Sequence, residues 1–204
     1  MNGMGILRGL AVTLRHFVDT YVVDFQNMRA GKKRTVAEKA SADVRGLFTI
    51  EFPEEELPVP EEFRFIPFLV YEEGENGAKN MRCTSCGICA KVCPPQCIWI
   101  VRTTDPNTGR PVPSPAEFYI DTDICMNCGM CAEYCPFDAI KMDHDFKISS
   151  FDRTTDNIFN LEKLAKPVSY YASIRPLNYA REEAARQAEK EAKAARKSGA
   201  AAAN

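Results

Sequence analysis

Nine cysteines constrain this chain more than any other feature, because all nine fall between positions 83 and 135 of its 204 residues. Three chemistries use such clustering: disulfides, structural zinc and iron–sulfur clusters. Disulfides need an oxidising compartment. The N-terminal stretch MNGMGILRGLAVTLRHF does not have a secretory layout, since Arg8 and Arg15 break its apolar residues and no small-residue cleavage site follows. An odd count also leaves one thiol over in any all-disulfide scheme. A reducing compartment and a metal-based role are therefore expected.

Spacing separates zinc from iron–sulfur. Residues 83–94 read CTSCGICAKVCP and residues 125–136 read CMNCGMCAEYCP. Both are C-x2-C-x2-C-x3-C-P, the run that ligates cubane clusters in two-cluster bacterial ferredoxins. Zinc ribbons offer C-x2-C pairs with a longer spacer and have no use for a third Cys or a trailing Pro. Three thiolates on one tight loop can face three irons of a cube, and Gly87 or Gly129 permits close backbone approach. The fourth Cys lies past the loop, is expected at the start of a helix, and ligates the other cluster. Two [4Fe–4S] clusters are predicted. Cluster one takes Cys83, Cys86, Cys89 and Cys135; cluster two takes Cys125, Cys128, Cys131 and Cys93. Pro94 and Pro136 then redirect the chain.

The two runs form a repeat at an offset of 42, from 83–100 onto 125–142. Cys97 has no place in the ligand scheme and aligns with Ala139. It is read as a small buried hydrophobe near a cluster. Trp99 is expected to pack beside a cluster. His144 is not counted as a ligand, since eight cysteines already serve two cubes.

Four segments are expected. The first, 1–46, holds an amphipathic helix over 5–28, with Leu7, Leu10, Leu14, Phe17, Tyr21 and Phe25 at three- and four-residue steps. It is read as lying on a membrane surface or a membrane subunit. The polar stretch 29–46 follows, and 1–46 carries eight Lys or Arg against four Asp or Glu. That charge suits anionic headgroups; a solvated linker is the plain alternative. The second segment, 47–79, has nine Glu against Arg64 and Lys79, with Pro53, Pro58 and Pro60 among aromatic residues. It reads as an extended acidic and proline-rich arm laid over a partner. The third, 80–149, is the two-cluster domain, with strands expected at 97–102 and 117–123 around a turn-rich DPNTGRPVPSP. The fourth, 150–204, is a partner-contacting extension with one short helix around NIFNLEKLA, then a charged helical tail from 180. The expected class is α+β: a two-cluster bacterial ferredoxin-like domain with a pseudo-twofold repeat, flanked by helix, arm and tail.

Composition narrows function. A formal net charge of −2 excludes a globally basic nucleic-acid binder. Charge interrupts every longer apolar run, so no transmembrane helix is expected. There is no P-loop, no G-x-G-x-x-G fingerprint and no plausible nucleophile–base set. The C-x3-C-x2-C run of radical enzymes is also missing. Four Cys per cube leave no iron open to substrate, so the chain is expected to pass single electrons and not to transform a substrate itself.

Taken together, the double cysteine run, the arm RGLFTIEFPEEELPVPEEFR at 45–64 and the helix bearing GLAVTLRHF resemble subunit I of respiratory complex I, the 23 kDa (TYKY) iron–sulfur family of NADH:quinone oxidoreductase. The resemblance runs from about residue 5 to about residue 165. It implies an electron-relay subunit between the NADH-side iron–sulfur subunit and the terminal-cluster and quinone-site subunits. It implies a helix resting on the membrane arm, and a peripheral position on the cytoplasmic face of the membrane, or the matrix face in mitochondria. The eight cysteines above match the family's ligand positions. The stretch FIPFLVYEEGENGAKNMR is less basic than the family's link, and the Ala/Lys/Glu tail is outside its pattern. A related membrane hydrogenase, a ferredoxin- or deazaflavin-fed complex, and a free two-cluster ferredoxin are the alternative settings for the same cluster module.

Overall fold

The structure, a computed structural model, describes residues 3–74 and 77–201. Positions 75–76 of the predicted arm and 202–204 of the predicted tail lie outside the described residues. The chain divides into two compact units, Met1–Val59 and Pro60–Asn204.

The first unit is built on α1, Gly3–Arg29, which carries the predicted periodicity and buries none of its residues. Leu7, Leu10, Leu14, Phe17 and Phe25 are all more than 60% exposed. No helix among the described residues is long and apolar enough to cross a membrane. A short helix α2, Val36–Lys39, follows. Thr35 caps it, accepting from the Glu38 backbone while the Glu38 carboxylate accepts from the Thr35 N–H. The basic stretch is tied down by side chains. Arg34 pairs with Asp24 and donates to the Arg45 carbonyl at 2.6 Å, and Lys39 holds Glu55 at 2.5 Å.

The second unit is a mixed helix-and-sheet body. Strand β1, Pro67–Glu73, pairs antiparallel with β2, Lys79–Met81, and with β5, Ile140–Met142; it also pairs parallel with β7, Ala165–Pro167. A second sheet joins β3, Ile98–Thr104, to β4, Pro111–Asp121, and then to β6, Ile158–Phe159. Leu69, Phe118, Ile120, Ile140 and Leu164 pack with buried cysteines in the main core. Phe68 and Val70 face the other way, onto Tyr171. Alternation along an extended strand sends these neighbours to opposite faces, and both faces are covered.

Three expectations need correction here. Residues 67–73 lie in the predicted arm, yet they form the central strand of a sheet with Phe68, Leu69 and Val70 at most 1% exposed. Proline density upstream masked a β-rich run, PFLVY, whose buried faces could not be read without its partners. Strand β4 also runs back through 111–115, taken as turn; register shifts near Arg102 accommodate its prolines. Finally, 150–179 holds more than one short helix. Helices α5 (Arg153–Asp156), α6 (Leu161–Leu164) and α7 (Val168–Ile174) alternate with β6 and β7. Asp152 and Asn160 cap the first two of these by accepting from backbone N–H groups. The tail is helical, as α8, Pro176–Ala201, opening on a proline that needs no N–H partner there.

Candidate iron–sulfur sites

Each cysteine run folds into a tight loop followed by one helical turn: α3, Ile88–Val92, in the first and α4, Met130–Glu133, in the second. The backbone repeats at the sequence offset of 42. Ser85 and Asn127 have φ of 55° and 52°, Gly87 and Gly129 76° and 81°, and Gln96 and Asp138 53° and 50°. Left-handed residues turn the chain sharply enough for consecutive cysteines to face inward, and glycine supplies the helix entry without a Cβ penalty. At Gly129 a Cβ would also stand 2.9 Å from the Arg64 guanidinium.

The fourth cysteine of each run sits at or just past the end of its helix, not at the start as expected. Cys93 is the C-cap of α3, and Cys135 follows the C-cap Tyr134 of α4. The proline after each favours extended backbone before it, which stops the helix. In both copies the backbone N–H four residues on, of Cys97 and of Ala139, donates to that cysteine's sulfur at 3.4 Å.

Two hollows result. One is walled by Cys83, Cys86, Cys89 and Cys135, with Leu69, Phe118 and Ile140 behind them. The other is walled by Cys93, Cys125, Cys128 and Cys131, together with Cys97. The helices carry the fourth cysteine of each run across to the hollow of the other run. Among the described residues, no Asp, Glu or His lines either wall. Among the described residues, no three Cys, His, Asp or Glu side chains gather closely enough to hold a single metal ion. A cubane asks for something different: one soft thiolate on each of four separate irons.

The donor chemistry fits such a cluster. Four thiols line the first hollow and five the second, and the remaining walls are mostly apolar. Beside the first, the buried hydroxyl oxygens of Thr84 and Ser85 have no hydrogen-bond partner among the described residues, which leaves donors for a sulfide. Burial pushes the Cys89 and Cys131 thiols up to about 12, and raises Cys83 as well. In the apoprotein these groups are neutral at pH 7, so loading iron must displace their protons. Cys97 is held protonated by hydrogen bonds with Cys125 and Cys93 and by burial, and its donation draws Cys125 downward.

That arrangement decides the domain. Residues 82–144 match the 4Fe-4S dicluster domain. The likeness to known proteins extends beyond the dicluster domain. The chain resembles NADH-quinone oxidoreductase subunit I 2 of Rhizobium meliloti, 39% identical over 121 residues, or 58% of this chain and 60% of that protein. It is 34% identical over 122 residues to subunit I 2 of Symbiobacterium thermophilum, covering 60% of this chain and 48% of that one. It is 32% identical over 117 residues to subunit I 1 of Anaeromyxobacter dehalogenans, covering 57% and 45%. The chain thus spans about half the length of the curated relatives it matches.

Other predicted residues fall as follows. Cys97 is 1% exposed and stands at the second hollow. Trp99, expected beside a cluster, is 48% exposed and lines neither hollow; it sits on the outer face of β3. His144 turns its Nε2 to the Glu61 carbonyl, 3.1 Å away, and joins neither set. The sequence reading missed two arginines that grip the dicluster domain's loops. Arg102 donates to the carbonyls of Ser85 (2.7 Å) and Cys86 (3.4 Å), and Arg64 donates to the carbonyl of Cys128 (2.8 Å). Neither lies in a cysteine run, so the motif held no signal for them.

Proposed function

We propose that this chain is the electron-relay subunit of a membrane-bound NADH:quinone oxidoreductase, carrying two [4Fe–4S] clusters. Cys83, Cys86, Cys89 and Cys135 would hold one cluster; Cys93, Cys125, Cys128 and Cys131 would hold the other. When bound, each cluster supplies a one-electron redox centre. The observation that carries the reading is the crossing of Cys93 and Cys135 into opposite hollows, because a shared ligand framework fixes two centres close together. The chain's own part is to hold and screen. Leu69, Phe118 and Ile140 keep water from the first site, and the N–H groups of Cys97 and Ala139 steady the crossing thiolates.

The finer organisation belongs to the same proposal. The dicluster region folds as a pseudo-twofold ferredoxin-like repeat, supported by the matched φ values at offset 42. The exposed apolar face of α1 suits a membrane surface or a membrane subunit. The stretch upstream of β1 and the extension after residue 149 suit neighbouring subunits: the terminal-cluster and quinone-site subunits, the NADH-side iron–sulfur subunit and the membrane arm. The corresponding place is peripheral, on the cytoplasmic or matrix face. The subunit I names of the relatives support this setting.

The test is a mild-detergent pull-down from native membranes with all co-purifying proteins identified. An NADH-binding flavoprotein with antiporter-like membrane subunits is the expected recovery. A nickel hydrogenase, or another donor module, would keep the relay and change the enzyme. A chain recovered alone from the soluble fraction would overturn the proposal.

A further inference from the structure

The two cysteine loops are near copies, but their surroundings are not. Each loop is gripped at its second cysteine by an arginine from outside the repeat: Arg102 at Cys86 and Arg64 at Cys128, positions 42 apart. A separate donation, from its Nε, ties Arg102 to the Ser85 carbonyl at 2.7 Å. The charges differ in company. Arg64 is paired with Glu133 at 2.7 Å, which offsets part of its positive charge. Among the described residues no ion pair involves Arg102. The loops also differ in donors. Thr84 presents a buried hydroxyl without a partner, whereas the equivalent position in the second loop is Met126.

We propose that Arg102 and Arg64 are positioning residues that set the two sites apart electrostatically, with the unpaired Arg102 making the first site the easier to reduce. This rests on the two-cluster reading above. The physics is Coulombic. Reduction adds one negative charge at a site, and a nearby cation with no carboxylate partner favours that state more than a paired one. A hydroxyl donating toward the same site acts in the same direction. Arg102 also fixes the loop by spanning two carbonyls, so position and charge come from one side chain.

The experiment is a potentiometric titration of the full-length holoprotein, followed by electron paramagnetic resonance, with iron counted in parallel. Wild type is expected to hold two clusters that reduce in two separated steps. R102Q keeps a donor and loses the charge. It should lower the easier step by roughly three- to tenfold in the reduced-to-oxidised ratio at fixed potential, leaving the other step in place. R102K should stay near wild type. E133Q should make the harder step easier, because it frees the Arg64 charge; it also serves if R102Q fails to load. Full iron with neither step moving in R102Q and E133Q overturns the inference. So does R102Q moving only the harder step, or R102K acting like R102Q. Wild type with fewer than two clusters would instead sink the two-cluster reading beneath it.

Discussion

The Cys97 sulfur stands 3.4 Å from the Cys93 sulfur, four residues on from it and at the wall of the same hollow. Its counterpart in the repeat is Ala139, which is equally buried at 1% exposed. The Cys97 position therefore works without a thiol in one copy, while its backbone N–H serves the crossing cysteine in both.

It follows that Cys97→Ala should leave both clusters in place, because the N–H donor to Cys93 survives the substitution. Iron content and both paramagnetic signals should match wild type. Loss of the second signal would mean that Cys97, not Cys93, is the ligand.

The crossing of the fourth cysteines makes a prediction opposite to sequence proximity. Cys93→Ser belongs to the first run but should perturb the site held by Cys125, Cys128 and Cys131. Cys135→Ser should perturb the site of the first run. Single-variant spectra that change the signal of the variant's own run would reject the crossed arrangement.

Ile120 is fully buried between the second sheet and the cysteine core, and it lines neither hollow. Ile120→Ala should cost about 2–5 kcal/mol of stability through lost burial and the cavity left behind. A urea midpoint of the holoprotein that does not move would show that the two sheets are not packed as described.

Alkaline pH should weaken the packing of α7. The Tyr170 hydroxyl donates to Asp143 and the Tyr171 hydroxyl to Glu182, each at 2.6 Å. Burial, then these carboxylates, raise both phenols above the usual tyrosine range. A folded-state value above the unfolded one, near 10, gives stability that is complete below pH 10. It is lost as pH rises through the folded values. The urea midpoint should therefore fall above pH 10, and the Tyr170→Phe, Tyr171→Phe double variant should show a shallower fall. An equal fall in both proteins would remove these phenols as the cause.

The sequence by itself determined where the cysteines stand and which of them share a loop. Two C-x2-C-x2-C-x3-C-P runs at a fixed offset are local patterns, and local spacing dictates which thiols share a loop. The same holds for α1, whose 3.6-residue periodicity needs no partner to be read. Tertiary structure alone decided what lies against those loops. Phe68, Leu69 and Val70 became a central strand because β5 and β7, from about 70 to 100 residues further on, cover its edges and the core covers both faces. Arg64 and Arg102 became loop clamps because the folded chain brings them to backbone carbonyls up to 64 positions away. Trp99 faces outward because strand register, not hydrophobicity, chose its side. Such contacts depend on which surfaces meet after collapse, and no spacing along the chain encodes that meeting.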